Sequence, residues 1–107
     1  MKDIMGMMKA AGEMKAKMEA MQAELAELVV EGNSGGGMVV VSLSGKGDMR
    51  GIKIDPALLK PEDAEMIEDL IIAAFNDAKG KSEAEAQRKM AEVTAGLPIP
   101  PGMKLPF

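Results

Sequence analysis

The first 28 residues contain an apolar repeat that strongly favours one structure, a long α-helix. Apolar positions advance by alternating steps of three and four residues, at Ile4, Met7, Ala11, Met14, Met18, Met21, Leu25 and Leu28. This is the heptad spacing of helices that pack along a seam, and no proline interrupts it. A helix over residues 2–28 would be about 40 Å long, which exceeds what a compact small domain needs. We therefore expect part of this helix to project, with its first turns weakened by Gly6 and Gly12.

The middle of the chain alternates apolar and polar residues as β-strands do, and glycine-rich stretches divide it. Strands are predicted at about 29–34, 38–44 and 48–54, with turns in GNSGGG (32–37) and GKGD (45–48). Within the second strand, Val39, Val41 and Leu43 share one face. Three consecutive strands joined by short turns predict an antiparallel meander.

The last third of the chain predicts a second long helix, over residues 61–94. Pro61 suits its first turn, and the acids Glu62, Asp63 and Glu65 suit the positive end of its dipole. An apolar stripe follows at helical spacing: Met66, Ile67, Leu70, Ile71, Ala74, Phe75 and Ala78. The predicted fold is therefore α+β, in the order α-β-β-β-α, as a single domain over residues 1–95. A Pro-rich tail, residues 96–107, ends the chain.

The core available to this fold is modest. The chain has 12 Met and 2 Phe but no Trp or Tyr, so the largest core-forming side chains are nearly absent. Small chains also bury a smaller share of their surface, so we expect stabilisation by a second copy. Without Cys, without a signal-peptide pattern and without an apolar run of membrane-spanning length, the sequence predicts a cytoplasmic protein with no membrane partner.

The residue types argue against an enzyme. The chain has no His, Cys or Tyr, so the hydroxyls of Ser34, Ser42, Ser44, Ser82 and Thr94 lack a histidine base. Both glycine-rich stretches lead into strands, whereas phosphate-binding loops lead into helices, so turn glycines are the better interpretation. The acids at the start of the last helix suit its dipole better than a metal site. We predict no metal, no cofactor and no small-molecule substrate.

The charges are distributed unevenly along the chain. The net charge is −4, and much of the excess acid lies between residues 55 and 69. Basic residues instead occur along both predicted helices and at Lys46, Arg50 and Lys53 in the strand region. A mixed, solvated surface is one interpretation, and a surface for a polyanion is the other. No aromatic side chains are present that could stack single-stranded bases.

Several segments resemble the YbaB/EbfC family of nucleoid-associated proteins. They are Gly37 at the expected start of the second strand, IDPALL at 54–59 and EDAEMIEDLIIAAFNDA at 62–78, followed by Gly96-Leu97-Pro98 and Pro100-Pro101-Gly102. The resemblance covers nearly the whole chain. It implies a homodimer whose long helices project like the arms of tweezers, and binding to double-stranded DNA with little sequence preference, in the bacterial nucleoid.

Two hypotheses follow for the function. In the first, a homodimer straddles duplex DNA and contacts phosphates with residues of both helices: Lys9, Lys15, Lys17, Lys79, Lys81, Arg88 and Lys89. Sequence preference would come from DNA shape, and the protein would organise the nucleoid and influence gene expression. In the second, the Met-rich first helix of a scaffold dimer binds a partner helix or peptide. The seam on that helix could also simply pack, within the chain or across a dimer.

The C-terminal tail carries apolar residues at spaced positions: Leu97, Ile99, Met103, Leu105 and Phe107. Its prolines exclude a helix and favour an extended path, which reduces the entropy lost on docking. We expect the tail to lie on its own dimer and to cover apolar surface that the Met-rich helices leave exposed. A disordered end is the alternative.

Overall fold

The computed structural model describes residues 3–94, which form two helices and three strands. Helix α1 spans Asp3–Glu27, strands β1, β2 and β3 span Val29–Ser34, Val39–Ser44 and Met49–Ile54, and helix α2 spans Ala64–Thr94. Strand β2 is central and pairs antiparallel with β1 on one side and with β3 on the other. The predicted α+β class and the α-β-β-β-α order with an antiparallel meander are confirmed. The prediction that the tail docks concerns residues outside the described part of the chain.

Glycine forms the first turn of the sheet, between β1 and β2. Gly35, Gly36 and Gly37 have φ angles of 60°, 68° and 94°, a left-handed region that favours glycine over any residue with a Cβ. Gly37 therefore belongs to the turn and does not open the second strand, which begins at Val39. The prediction that Gly37 belongs to the turn at 32–37 is confirmed, whereas its placement at the start of the second strand was wrong, because three left-handed residues in a row cannot continue the extended backbone of a strand.

A serine organises the second turn, between β2 and β3. The Ser44 hydroxyl accepts hydrogen bonds from the N–H groups of Lys46 and Asp48, at 3.1 and 3.2 Å. Gly47 has a φ angle of 90°, and its N–H donates to the Ser44 carbonyl at 2.9 Å. Pairing with β2 starts at Met49, and a shift in register lies next to Leu43. The turn thus directs the chain into β3 with its polar backbone groups bonded.

Helix α2 is preceded by a tighter turn that contains the predicted start of the helix. Pro61–Asp63 forms a 3-10 turn, and the Asp63 N–H donates to the Lys60 carbonyl at 2.9 Å. The α-helical bonding begins at Ala64. Glu62, Asp63 and Glu65 lie in the first turns, where their charges complement the positive end of the helix dipole.

The core lies between α2 and one face of the sheet. Val39, Val41 and Leu43 of β2 are fully buried against Ala74 and Ala78 of α2. The small side chains of the two alanines allow the helix to approach the sheet closely. The approach is so close that a Cβ placed on Gly32 of β1 would overlap the backbone of α2. Side-chain hydrogen bonds fix the helix at both ends of the contact, from Ser34 Oγ to the Leu70 carbonyl at 2.6 Å and from Ser82 Oγ to the Ser44 carbonyl at 3.0 Å.

Helix α1 packs only through its C-terminal part. Met21 and Leu25 are each 3 % exposed, and the Leu25 carbonyl accepts a hydrogen bond from the Gly45 N–H at 2.8 Å. Exposure increases toward the N-terminus, where Met14 is half-buried and Met7 is 68 % exposed. The described chain is accordingly elongated, at 72 × 26 × 17 Å. The heptad seam is thus a packed seam over its last turns and an uncovered apolar stripe over its first ones.

Strand β3 receives little cover from either helix. Met49 and Ile52 are 51 % and 42 % exposed, although Ile52 is paired with the fully buried Val41 of β2. A groove of about 560 Å³ lies beside this strand, and it is lined by Gly37, Met38, Val40, Ile52, Lys53, Ile54, Asp55 and Pro56. The sheet therefore ends in an exposed edge with apolar side chains.

Candidate nucleic-acid interface

Three lysines occupy the projecting part of α1. Lys9, Lys15 and Lys17 are all exposed. None of them forms an ion pair with another residue in the stretch 3–94. Successive residues of a helix are rotated by about 100°, so Lys15 and Lys17 lie about 160° apart and flank the apolar stripe on opposite sides, while Lys9 lies roughly opposite it. The lysines therefore surround the arm and do not form one patch.

Three of the four predicted cations on α2 are engaged by carboxylates. Lys81 Nζ lies 3.4 Å from the Asp77 carboxylate and donates to the Glu31 carbonyl at 2.8 Å. Arg88 contacts Glu85 at 2.7 Å and Glu92 at 2.9 Å. The hydrogen bond to Glu85 raises the pKa of Arg88, so this guanidinium stays charged. Arg88 is solvent-exposed, and phosphate would have to compete with these intrahelical pairs to reach it.

Lys89 faces the other helix. Its ammonium donates to the Glu24 carboxylate of α1 at 2.9 Å, and its side chain is only 20 % exposed. This contact joins α1 to α2 where the two helices leave the sheet. Lys89 is therefore placed to orient the arm, and it is less accessible to a phosphate than the other predicted cations.

Lys79 completes the predicted set. It is exposed, and the ion pairs within the described residues do not include it. Its helical position is about 160° from that of Lys81, so these two lysines flank α2 on opposite sides. The cations of the predicted set that are open to an outside anion are thus Lys9, Lys15, Lys17 and Lys79.

The sheet region contributes a second group of cations that the predicted set does not include. Lys46, Arg50 and Lys53 are exposed at the β2–β3 turn and along β3. Lys53 is paired with Val40, on the sheet face opposite the core. The basic excess of residues 46–53 was visible in the sequence, but only the fold shows that these charges lie at an uncovered edge.

Asp77 anchors α2 to β1. Its carboxylate accepts a hydrogen bond from the Asn33 N–H at 3.0 Å. This bond, assisted by the nearby Lys81 ammonium, lowers the pKa of Asp77 below its ordinary value of 3.8. The contact gives β1 a charge-assisted bond to the helix, and it leaves Lys81 locally neutralised.

Four of the five hydroxyl groups considered for nucleophilic chemistry have structural partners. Ser34 donates to Leu70, Ser44 accepts two turn N–H groups, Ser82 donates to the backbone of the β2–β3 turn, and Thr94 donates to the Met90 carbonyl at 3.0 Å. Among residues 3–94, no set of three acidic side chains is placed to hold a metal ion. No helix within this same part of the chain is long and apolar enough to span a membrane.

Comparison with known proteins yields a consistent group of relatives. The family model described as the YbaB/EbfC DNA-binding family matches residues 1–97. A nucleoid-associated protein of Agrobacterium fabrum is 63 % identical over 107 residues, and one of Rhizobium meliloti is 62 % identical over 107 residues; each alignment covers 100 % of both chains.

A solved structure resembles the fold as well. The crystal structure of an uncharacterized protein from Helicobacter pylori superposes with a TM-score of 0.74 at 29 % sequence identity, covering 88 % of this chain and 98 % of that one. The family match spans both helices and the whole sheet described above, including the arm with its exposed lysines. The chain therefore belongs to the YbaB/EbfC DNA-binding family.

Proposed function

We propose that this protein is a nucleoid-associated homodimer that binds duplex DNA through basic residues on its projecting helices. The observation that carries the proposal is the arm of α1, which extends beyond the packed core with Lys9, Lys15 and Lys17 exposed. The family and the names of the relatives support DNA as the partner and the nucleoid, within the cytoplasm, as the place of action.

Phosphate contacts account for such binding despite the net charge of −4. Each ammonium that meets a phosphate releases condensed counterions, and this favourable term does not depend on base sequence. The acids at the start of α2 lie at the end of the molecule opposite the α1 arm, because α2 leads from there along the sheet toward the arm. Screening over about 10 Å at 0.1 M salt limits their repulsion of DNA held at the arm.

A dimer doubles a weak set of contacts. Two arms related by a twofold axis present twice those of Lys9, Lys15, Lys17 and Lys79 that face the duplex, and linked weak contacts gain affinity through effective concentration. The arms offer few groups for reading bases, so any sequence preference would arise from DNA shape and deformability. Such binding suits a protein that organises the nucleoid and thereby influences gene expression.

The uncovered edge of the sheet supports the dimer. Met49 and Ile52 on β3 and the groove beside them leave apolar surface that a second copy could bury. An exposed strand edge with apolar side chains is a surface that proteins normally cover. This contact would leave both α1 arms free, since β3 lies away from the helices.

A salt titration tests DNA binding directly. Log affinity should fall against log salt with a slope that reaches about −7 if all four open lysines of both protomers contact phosphates and is shallower for those that face away from the duplex. Between 50 and 200 mM salt the affinity of purified dimer for duplex DNA should then fall by roughly a thousand- to hundred-thousand-fold. Two random-sequence duplexes of equal length should give the same slope. Undetectable binding at 50 mM salt would contradict the proposal.

A scaffold that binds protein partners is the second candidate. It is favoured by the exposure of Met5, Met7 and Met8, which are 80 %, 68 % and 70 % exposed on α1. Flexible methionine surfaces adapt to varied apolar partners. Reversing the charges of Lys9, Lys15 and Lys17 separates the two candidates, because it should abolish DNA binding but leave capture of an apolar partner helix largely intact.

A further inference from the structure

The first turns of α1 carry an apolar stripe that nothing in the described part of the chain covers. Ile4 and Met7 are 52 % and 68 % exposed, and Met14 is half-buried. With Ala11 these residues continue the seam that Met21 and Leu25 bury further along the same helix. The stripe is therefore a direct extension of an established packing surface.

Helix α2 ends beside this stripe. The two helices run antiparallel. Gly45 donates its N–H to the Leu25 carbonyl and accepts a hydrogen bond from the Ser82 hydroxyl, which places Leu25 near Ser82. Glu24, which is earlier in α1, pairs with Lys89, which is later in α2. Thr94 follows Lys89 by little more than one turn, so the end of α2 lies level with about residue 19 of α1. From that level to Ile4, α1 continues alone for about 22 Å at ~1.5 Å per residue.

Residues 95–107 continue from this point and have the length to cover the stripe. Extended, proline-rich chain rises ~3.1 Å per residue, which allows these residues about 40 Å of reach. Four prolines, Pro98, Pro100, Pro101 and Pro106, exclude a helix, and five apolar side chains stand between or beside them at 97, 99, 103, 105 and 107. The segment is longer than the stripe and matches it in chemistry.

We propose that residues 97–107 dock along the apolar stripe of α1 in the same protomer, over Ile4, Met7, Ala11 and Met14. Leu97 and Ile99 meet the stripe near Met14, and Met103, about 19 Å further along the extended chain, reaches the level of Ile4. Docking replaces exposed methionine surface with apolar contacts, and the prolines reduce the entropy that the segment loses. Lys9 lies on the other side of α1, so the tail stiffens the arm without covering that lysine.

Paramagnetic broadening tests this placement in the full chain. The protein has no Cys, so Lys104→Cys provides a unique site for a nitroxide label, and Lys60→Cys, before the 3-10 turn at 61–63, is the matched control. With methyl-labelled methionine, the Lys104→Cys label should broaden the signals of Met7 and Met14 and restore them on reduction. The Lys60→Cys label should leave both signals unchanged. Equal intensities of Met7 and Met14 before and after reduction of the Lys104→Cys label would overturn the proposal.

A mixed sample decides which protomer holds the tail. Spin-labelled chains without isotope are mixed with isotope-labelled chains without the spin label, under conditions in which subunits exchange. The proposal predicts no broadening of Met7 or Met14 in the mixture. Broadening there would place the tail on the partner's helix and overturn docking within one protomer.

A shortened chain supplies a second readout that does not depend on a label. Deleting residues 97–107 should shift the methyl signals of Met7 and Met14 and lower the melting temperature, while the signals of Met49 and Met66, far from the arm, stay in place. If a second copy or another protein covers the stripe, Met7 and Met14 will respond to concentration or to that partner but not to the deletion. That result would contradict the proposal.

Discussion

At the scale of single residues, Gly32 determines how closely the last helix approaches the sheet. It is buried in β1, and a Cβ at this position would overlap the Ala78 nitrogen and the Ala74 carbonyl oxygen of α2. Backbone atoms cannot move aside as a flexible side chain can. The close packing of β1 on α2 therefore depends on the absence of one carbon atom.

We expect Gly32→Ala to destabilise the fold by about 1–3 kcal/mol or more, because α2 must shift away from the sheet. Gly80→Ala is the matched control, since Gly80 lies within α2 with nothing within 4 Å of a new Cβ. That substitution should stabilise the protein by about 1 kcal/mol through helix propensity alone. Urea unfolding followed by circular dichroism measures the free energy of unfolding of both variants. Equal changes in this free energy would contradict the packing argument.

Asp77 makes stability depend on pH in the acidic range. Its pKa is lowered in the folded protein, chiefly by the hydrogen bond from the Asn33 N–H. A lowered folded-state pKa means that the stabilising contribution is fully present above the ordinary value of 3.8 and is lost as the pH falls through the folded value. The bond between β1 and α2 is thus strongest near neutral pH.

The variant Asp77→Ala should therefore melt at a lower temperature than the wild type at pH 7. The difference in melting temperature should narrow as the pH falls from 5 to below 3, because protonation removes the charge of Asp77 in the wild type. Melting curves across this range provide the measurement. A difference that stays constant with pH would show that the charge of Asp77 contributes nothing.

At the scale of elements, α1 has two parts with different roles. Its C-terminal turns pack through Met21 and Leu25, and its N-terminal turns carry lysines around an exposed apolar stripe. The Glu24–Lys89 pair lies within the packed part and links α1 to α2. An arm that is anchored at one end and basic at the other suits contact with a duplex.

Charge reversal on α1 should abolish DNA binding if the arm holds the duplex. The variant Lys9→Glu/Lys15→Glu/Lys17→Glu should bind too weakly to measure at 0.1 M salt, because phosphate contacts become repulsive. The control variant Lys46→Glu/Lys60→Glu alters exposed cations off the arm and outside the groove beside β3, and it should keep its affinity within about tenfold. Fluorescence anisotropy with a labelled duplex measures both variants. A greater loss in the control variant would place the DNA contact away from α1.

At the scale of the whole molecule, residues 3–94 leave one sheet edge and one arm uncovered. The buried core consists of small and medium side chains, of which Leu43, Val39 and Val41 are the largest that are fully buried. Small cores leave little margin of stability, so covering Met49 and Ile52 with a second copy would have a large proportional effect. We therefore expect the isolated protomer to be less stable than the assembly.

The proposed dimer can be tested through the mass of the assembly and through its affinity for DNA. Sedimentation equilibrium should show twice the 11.3 kDa mass of one chain. Ile52→Asp, at the edge strand, should shift the protein toward monomer and weaken DNA binding by at least tenfold, since the second arm is lost. Ile72→Asp is the control, because Ile72 is 58 % exposed on α2 and away from β3. A wild-type monomer, or a dimer unaffected by Ile52→Asp, would contradict the edge contact.

The sequence by itself determined the class and order of the elements. Heptad spacing, strict alternation at Val39, Val41 and Leu43, and glycine-rich turns are local signals, and local backbone preferences select helix, strand or turn without reference to distant residues. The family resemblance was likewise readable from continuous segments. The start of α2 and the role of Gly37 were less predictable, because both depend on whether backbone bonds follow the α or the 3-10 pattern.

Only the tertiary structure decided which side chains are available. Lys9 and Lys89 look alike in the sequence, yet Lys9 is exposed on a projecting arm and Lys89 is held 2.9 Å from a glutamate of the other helix. Likewise, Met7 and Met21 belong to one heptad pattern, but one is 68 % exposed and the other 3 %. Spacing along a helix specifies only its faces, whereas burial and ion pairing depend on residues distant in sequence that folding brings together.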